Sequence, residues 1–290
     1  KIIITGGLGF IGSRFVNLCH KKGHNIKIID KHTYAADLKR INFHIGYFRK
    51  DICDVTEDDI NGYDYIVNFA AETHVDNSIS DGKPFIRSNV EGVFNLLEVA
   101  RKTNIKKFIH VSTDEVYGEN DDTKMDETSI LTPTNPYAAT KAGAEMIALS
   151  YYKSFNLPII ITRGNNVYGP NQYPEKLIPK FIHLLFNNEP VTIQGDGSHI
   201  RGFLHVDDTS SAFQIIMERG EIGEIYNIGC DSKDEYSVTQ IAEKIIYKIK
   251  SIKKDESSYQ KWIKYIEDRP FNDKRYFISN NKLKELGWLP

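Results

Sequence analysis

Cysteine is scarce in this 290-residue chain, as are tryptophan and methionine. The three cysteines, Cys19, Cys53 and Cys230, have no metal-like spacing and leave one without a pair. That argues against a disulfide framework or a metal site and for free thiols in a reducing, cytoplasmic setting. Excess charge of either sign is also missing. A formal net charge of -2 argues against bulk electrostatic binding of nucleic acid. No apolar run approaches the ~20 residues that span a bilayer, so no membrane partner is expected. The opening Lys1-Ile2-Ile3-Ile4 reads as a strand, with no signal-peptide pattern. Internal repeats and low-complexity linkers are absent too.

What the chain does have is an alternation of short apolar runs and longer helical patterns. Strands are expected at Lys1–Thr5, Asn25–Asp30, Tyr47–Lys50, Asp64–Ala70, Lys107–Ser112 and Pro158–Arg163. They are rich in Ile and Val with little alternation, as strands covered on both faces are. Helices are expected at Gly9–Lys22, Phe85–Thr103 and Pro136–Phe155, the last with Asn135 as N-cap and Pro136 as first residue. The fold class is therefore α/β, a doubly wound parallel sheet of the Rossmann kind. After about Gly169 prolines cluster and elements shorten. Residues 1–168 read as the cofactor domain and 169–290 as a smaller C-terminal lobe. Gly223–Gly229 reads as a strand returning to the main sheet. Ile241–Lys254 reads as an amphipathic surface helix, and no terminal helix is evident before Trp288-Leu289-Pro290.

Gly6, Gly9 and Gly12 form a Gly-x-x-Gly-x-x-Gly run between the first strand and the first helix. Such a turn brings backbone and helix N-terminus close to a pyrophosphate. Phe10 and Ile11 lie within it. Asp30, eighteen residues after Gly12, ends the second strand. An acid there bonds the adenosine ribose and repels a 2′-phosphate, which favours NAD over NADP. Lys31 beside it is a counter-signal. Asp51-Ile52 ends the third strand, where an adenine edge would lie. Phe69-Ala70-Ala71-Glu72-Thr73 ends the fourth, with small residues where a dinucleotide must pass.

Ser112-Thr113 ends the fifth strand at the same crevice. Tyr137 and Lys141 are four residues apart, on one helix face. A lysine beside a phenol favours the phenolate, so the pair can act as a base near neutral pH. Asp114 and Glu115 add a second acid and a second base. An alcohol dehydrogenase needs only the first pair, so two pairs imply that more than a hydride moves.

With these residues in view, the chain resembles the extended short-chain dehydrogenase/reductases, and within them the nucleoside-diphosphate-glucose 4,6-dehydratases. The likeness runs almost end to end. It includes Thr5–Gly12, Ala70–Ser78, Ser112–Gly118, Pro136–Lys141, Pro174–Pro179, Tyr226–Gly229 and Asp268-Arg269-Pro270. The Thr113-Asp114-Glu115 triplet discriminates, since family 4-epimerases and decarboxylases typically lack the Asp-Glu pair.

The resemblance implies a mechanism. Tyr137 takes the 4-hydroxyl proton as hydride passes from C4 to NAD. Thr113 bonds O4, and Lys141 holds the phenol pKa low and binds the nicotinamide ribose. Glu115 removes the C5 proton and Asp114 protonates the departing 6-hydroxyl. The resemblance also adds Asn89 to the cofactor contacts. It assigns the nucleotide sugar to Ser78, Asn166, Lys176, Leu177, Arg201 and Arg269, with Asn227 and Asn272 as weaker candidates. Residues 162–172 are similar to the UDP-glucose branch of UDP-rhamnose synthesis. Gly202-Phe203 and His205 depart from the dTDP-glucose branch. UDP-glucose is thus favoured over dTDP-glucose. A UDP-sugar 4-epimerase and a non-enzymatic NAD-binding regulator are the alternatives. A homodimer is implied by the two long helices, which pair across a two-fold axis in the family.

Overall fold

The computed structural model describes residues 1–119, 123–268 and 273–290. The first half runs β1 (Ile2–Thr5), α1 (Phe10–Lys21), β2 (Ile26–Asp30), β3 (Tyr47–Arg49), α2 (Glu57–Ile60), β4 (Tyr65–Asn68), α3 (Val75–Ser80) and α4 (Lys83–Phe85). It continues with α5 (Gly92–Ala100), β5 (Lys107–Thr113), α6 (Pro136–Phe155) and β6 (Ile159–Gly164). The remainder holds β7 (Asn166–Tyr168), α7 (Leu177–Phe186), β8 (Val191–Gln194), β9 (Ile200–His205), α8 (Val206–Arg219) and β10 (Ile225–Ile228). Last come β11 (Glu235–Ser237), α9 (Val238–Lys253), β12 (Ile263–Ile266) and α10 (Asn281–Glu285).

Seven strands form the main sheet in the order β10-β6-β5-β4-β1-β2-β3. Every pairing in it is parallel. The order reverses between β1 and β4, which opens a crevice at the carboxyl ends of the strands. β1 is wholly buried, and β6 is buried but for its last residue, because both faces of the sheet are covered. One face packs on α1, α8 and α10 through Phe15, Val16, Phe213, Ile216, Leu283 and Trp288. The other packs on α5 and α6 through Val93, Leu96, Ala144 and Ala148.

β10 lies beside β6, Ile225 opposite Ile161, so the second half does return to the main sheet. Three expectations change. The helix expected over Phe85–Thr103 is a π-helical stretch, Ile86–Glu91, continued by α5. α9 is more than surface: Ala242, Ile246 and Ile249 build a separate core with Phe181, Leu185, Val191 and Trp262. A short terminal helix, α10, exists because Leu283 fills a gap against the main core.

Candidate active site

The turn between β1 and α1 leaves no room for side chains. Gly6 sits at φ +65°, and a Cβ there would lie 2.7 Å from the Ala70 nitrogen. A Cβ on Gly12 would lie 2.3 Å from the Gly6 carbonyl oxygen. The N-cap, Gly9, brings no side-chain acceptor to the first turn of α1. The N-terminal N–H groups of the helix thus face a crevice of about 360 Å³.

Of the positions assigned to a cofactor above, all but Asn89 line this crevice. Asp30 is fixed there by two backbone donors, Leu8 N at 3.0 Å and His32 N at 2.8 Å. The Lys31 ammonium is engaged elsewhere, at 3.0 Å from Glu72 and 2.7 Å from Ser88 Oγ. Its weight as a counter-signal falls accordingly. Asn89 acts one step back: it bonds Glu72 N and O at 2.8 and 3.0 Å, and so clamps the loop after β4. The Ser112 hydroxyl is buried with no hydrogen-bond partner among the described residues, while its residue lines the crevice. Together these features fit a dinucleotide.

At the far end of the crevice stand Thr113, Asp114, Glu115, Tyr137 and Lys141. β5 delivers the first, a short 3₁₀ turn carries the two acids, and α6 carries the last two. The start of α6 is set by Asn135, whose side chain accepts from Ala138 N, and by Pro136. Ser78 Oγ accepts from Tyr137 N at 3.2 Å and donates to Val75 O at 2.7 Å. Ser78 therefore braces the catalytic helix and does not line the crevice.

Burial dominates the electrostatics. It pushes Asp114 up to about 7, helped by Glu115 and opposed by donation from Asn165. Burial raises Glu115 as well, against Asn135, Arg201 and Lys176. Lys141 is lowered by burial to about 8, with Glu145 opposing. Tyr137 is raised, by burial first and then by Glu115 and Asp114; Thr113 pulls the other way. This corrects the expectation that Lys141 depresses the phenol. The Lys141 ammonium donates to Val111 O at 2.6 Å, and desolvation plus two carboxyls govern Tyr137.

Among the sugar-nucleotide candidates, Asn166, Lys176 and Leu177 line the crevice. Lys176 Nζ also donates to Thr73 O at 3.2 Å, across to the other wall. The Arg201 guanidinium bonds the Asp273 and Lys274 carbonyls and faces Tyr276, yet its charge reaches both acids. Asn227 is not brought to the crevice. It is fully buried and accepts from the Tyr117 hydroxyl at 2.8 Å. Arg269 and Asn272 lie outside the described residues.

Two groups were missed. Asn165 donates to Asp114 Oδ2 at 2.6 Å. Glu145 and Arg163 form a buried pair at 2.7 Å beneath the site. Glu145 follows Lys141 by four residues, a helical spacing that could have flagged it. Asn165 has no such local signal, because its partner lies far away in sequence, on the turn after β5.

A model of the GDP-mannose 4,6 dehydratase family matches residues 3–290. The chain belongs to that family. Within this dehydratase family it is 46% identical, over 99% of its length, to the trifunctional UDP-glucose 4,6-dehydratase/UDP-4-keto-6-deoxy-D-glucose 3,5-epimerase/UDP-4-keto-L-rhamnose-reductase RHM2 of Arabidopsis thaliana. It spans 44% of that relative's length. It is 44% identical, over 99% of its length and 77% of the relative's, to the dTDP-D-glucose 4,6-dehydratase of Dictyostelium discoideum. Among solved structures, a double mutant of DesIV, a dTDP-glucose 4,6-dehydratase from Streptomyces venezuelae, with NAD and DAU bound, superposes with a TM-score of 0.93. It is 33% identical and the match covers 100% of this dehydratase-family chain and 92% of that one. No helix among the described residues is long and apolar enough to cross a membrane. No group of three or more His, Cys, Asp or Glu among them could hold a metal.

Proposed function

We propose that this protein is an NAD-dependent nucleoside-diphosphate-glucose 4,6-dehydratase, with UDP-glucose as its substrate and a UDP-4-keto-6-deoxy sugar as its product. The observation that carries the reading is one buried site holding Asp114 and Glu115 beside Tyr137 and Lys141. NAD, when bound, takes a hydride from C4 of the sugar and returns it to C6. Gly6, Gly9, Gly12, Asp30 and Ser112 are placed to hold it.

The chain's own residues move the protons. Tyr137 takes the 4-hydroxyl proton, with Thr113 bonding O4. The C4 ketone then acidifies C5–H. Glu115 removes that proton, and Asp114 protonates O6 as the C6–O bond breaks. One water leaves. C5 regains a proton when C6 receives its hydride, so sugar and cofactor balance. A carboxyl raised to about 7 still carries its proton near neutrality, as a general acid must.

Two lines support UDP over dTDP. The chain is 46% identical to a relative named for UDP-glucose. It also carries Gly202-Phe203 and His205 where the dTDP branch differs. The Cys19, Cys53 and Cys230 thiols are free, which agrees with a reducing, cytoplasmic setting. A homodimer would form through the outward faces of α5 and α6, where Phe94 and Met146 are each 49% exposed.

The test is incubation with UDP-glucose and, separately, dTDP-glucose, followed by product mass. Loss of one water without net NADH is expected, faster with UDP-glucose. Conversion of UDP-glucose to UDP-galactose with no mass change would overturn the dehydratase reading. Faster turnover of dTDP-glucose would overturn the choice of nucleotide alone.

A further inference from the structure

Two asparagines sit behind the two carboxyls, and each is locked in one orientation. Asn165 is 7% exposed. Its Oδ1 accepts from Cys230 N at 3.0 Å, so its amide N–H₂ must be the end that meets Asp114. It donates to Asp114 Oδ2 at 2.6 Å. The asparagine is caged as well. A Cβ on Gly202 would lie 2.9 Å from its Oδ1, and one on Gly229 would lie 3.1 Å away. Asn135 repeats the logic. Its Oδ1 accepts from Ala138 N at 2.9 Å, and its Nδ2 donates to Glu115 Oε2 at 3.1 Å. A backbone N–H can only meet an oxygen, so neither amide can flip.

We infer that Asn165 and Asn135 are positioning residues that assign the proton-transferring oxygen of each carboxyl, Oδ1 of Asp114 and Oε1 of Glu115. An oxygen that already accepts an N–H is the less basic of the two, so the acid proton favours the other. The Asp114 proton therefore sits on Oδ1, which accepts from the Thr113 hydroxyl at 3.3 Å when Asp114 is ionised and donates back to that hydroxyl when it is protonated. Glu115 is left with Oε1 to receive the proton from C5. The arrangement removes a two-fold ambiguity from each group and keeps acid and base from exchanging roles. The inference rests on the proposed reaction and assigns how its acid and base are oriented.

Several charges face these carboxyls and also shape any pH profile. Asp114 feels Glu115 and Arg201. Glu115 feels Arg201, Lys176 and Asp273. Tyr137 and Tyr276 respond to Glu115 in turn. The substitutions below leave all of these in place.

The experiment compares wild type, Asn165→Ala, Asn165→Ser and Asn135→Ser in water release, in solvent exchange of the C5 proton, and in kcat against pH. Serine at 135 keeps the helix cap but not the reach to Glu115. Asn165→Ala should lower kcat for water loss about 10²-fold, the scale of a misplaced catalytic group, with KM unchanged. Its high-pH limb should move upward, because the lost donor favoured the ionised acid. C5 exchange should continue. Asn135→Ser should instead slow C5 exchange. Asn165→Ser, whose hydroxyl is too short to span to Asp114, should follow Asn165→Ala even if the alanine variant folds poorly. Wild-type kcat and an unmoved limb in both Asn165 variants would overturn the inference. So would equal slowing of water loss and C5 exchange, which a purely structural role predicts. A wild type that releases no water from either substrate sinks the functional reading and this inference with it.

Discussion

Asp114 is the residue where structure and chemistry pull hardest against each other. A carboxyl held at about 7 is neutral below that pH and ionised above it. In its proposed role as general acid it is competent only when neutral, so kcat should fall as pH rises through about 7. Stability runs the same way. The folded protein binds this proton more tightly than the unfolded chain does, so burial of Asp114 costs stability increasingly from its ordinary pKa of 3.8 up to about 7. Asp114→Asn should therefore melt above wild type at pH 8, converge with it near pH 4, and lose water release. Thermal scans at both pH values check this. Glu115→Gln should retain cofactor binding and lose about 10²–10⁴-fold in dehydration, read by product mass. The five residues proposed to carry the chemistry were legible as a group because they fall in two short runs. Asn165 was not, since its partner is 51 residues away in sequence. The direction of the Tyr137 shift was misread because spacing reveals the lysine but not the desolvation.

Elements were legible where pattern alone decides them. The six expected strands match observed ones within a residue or two. α6 begins and ends where the Asn135-Pro136 start and its periodicity place it. The π-helical stretch was hidden, because it depends on packing that periodicity does not encode. Gly92, where it ends, leaves no room for a Cβ: Ile52 would be 2.6 Å away. α10 was hidden because five residues carry too little pattern. The β1–α1 turn makes a prediction at this scale. Gly12→Ala forces a methyl against the Gly6 carbonyl, so the turn must open and its N–H groups move. NAD titration by fluorescence should show affinity weakened about tenfold or more, a change of ~1.4 kcal/mol.

At the scale of the whole molecule, one buried ion pair ties helix to sheet. Glu145 on α6 and Arg163 on β6 are 0% and 3% exposed, and Arg163 also bonds the Tyr117 hydroxyl at 2.8 Å. Arg163→Met leaves Glu145 buried and uncompensated, which should cost about 3–5 kcal/mol in a denaturant titration. Glu145→Gln combined with Arg163→Met should cost less than Arg163→Met alone. The outward helices make a second prediction. Phe94→Glu with Met146→Glu should convert a dimer to monomers in light scattering, leaving the central sheet intact.

The main core also fixes when this protein can fold. Ile2, Ile4 and Phe15 share one cluster with Phe213, Ile228, Leu283 and Trp288. During synthesis the opening strands leave the ribosome long before the helix and tryptophan that cover one of their faces. α1 covers part of that face early, but the part closed by α8, Leu283 and Trp288 stays open to water, and to other nascent chains, until much later in translation of this stretch. The growing chain is thus a natural client for chaperones that shield apolar surface, and a chain stalled short of residue 283 would carry α1 and α8 on that face but leave it uncovered where Leu283 and Trp288 pack.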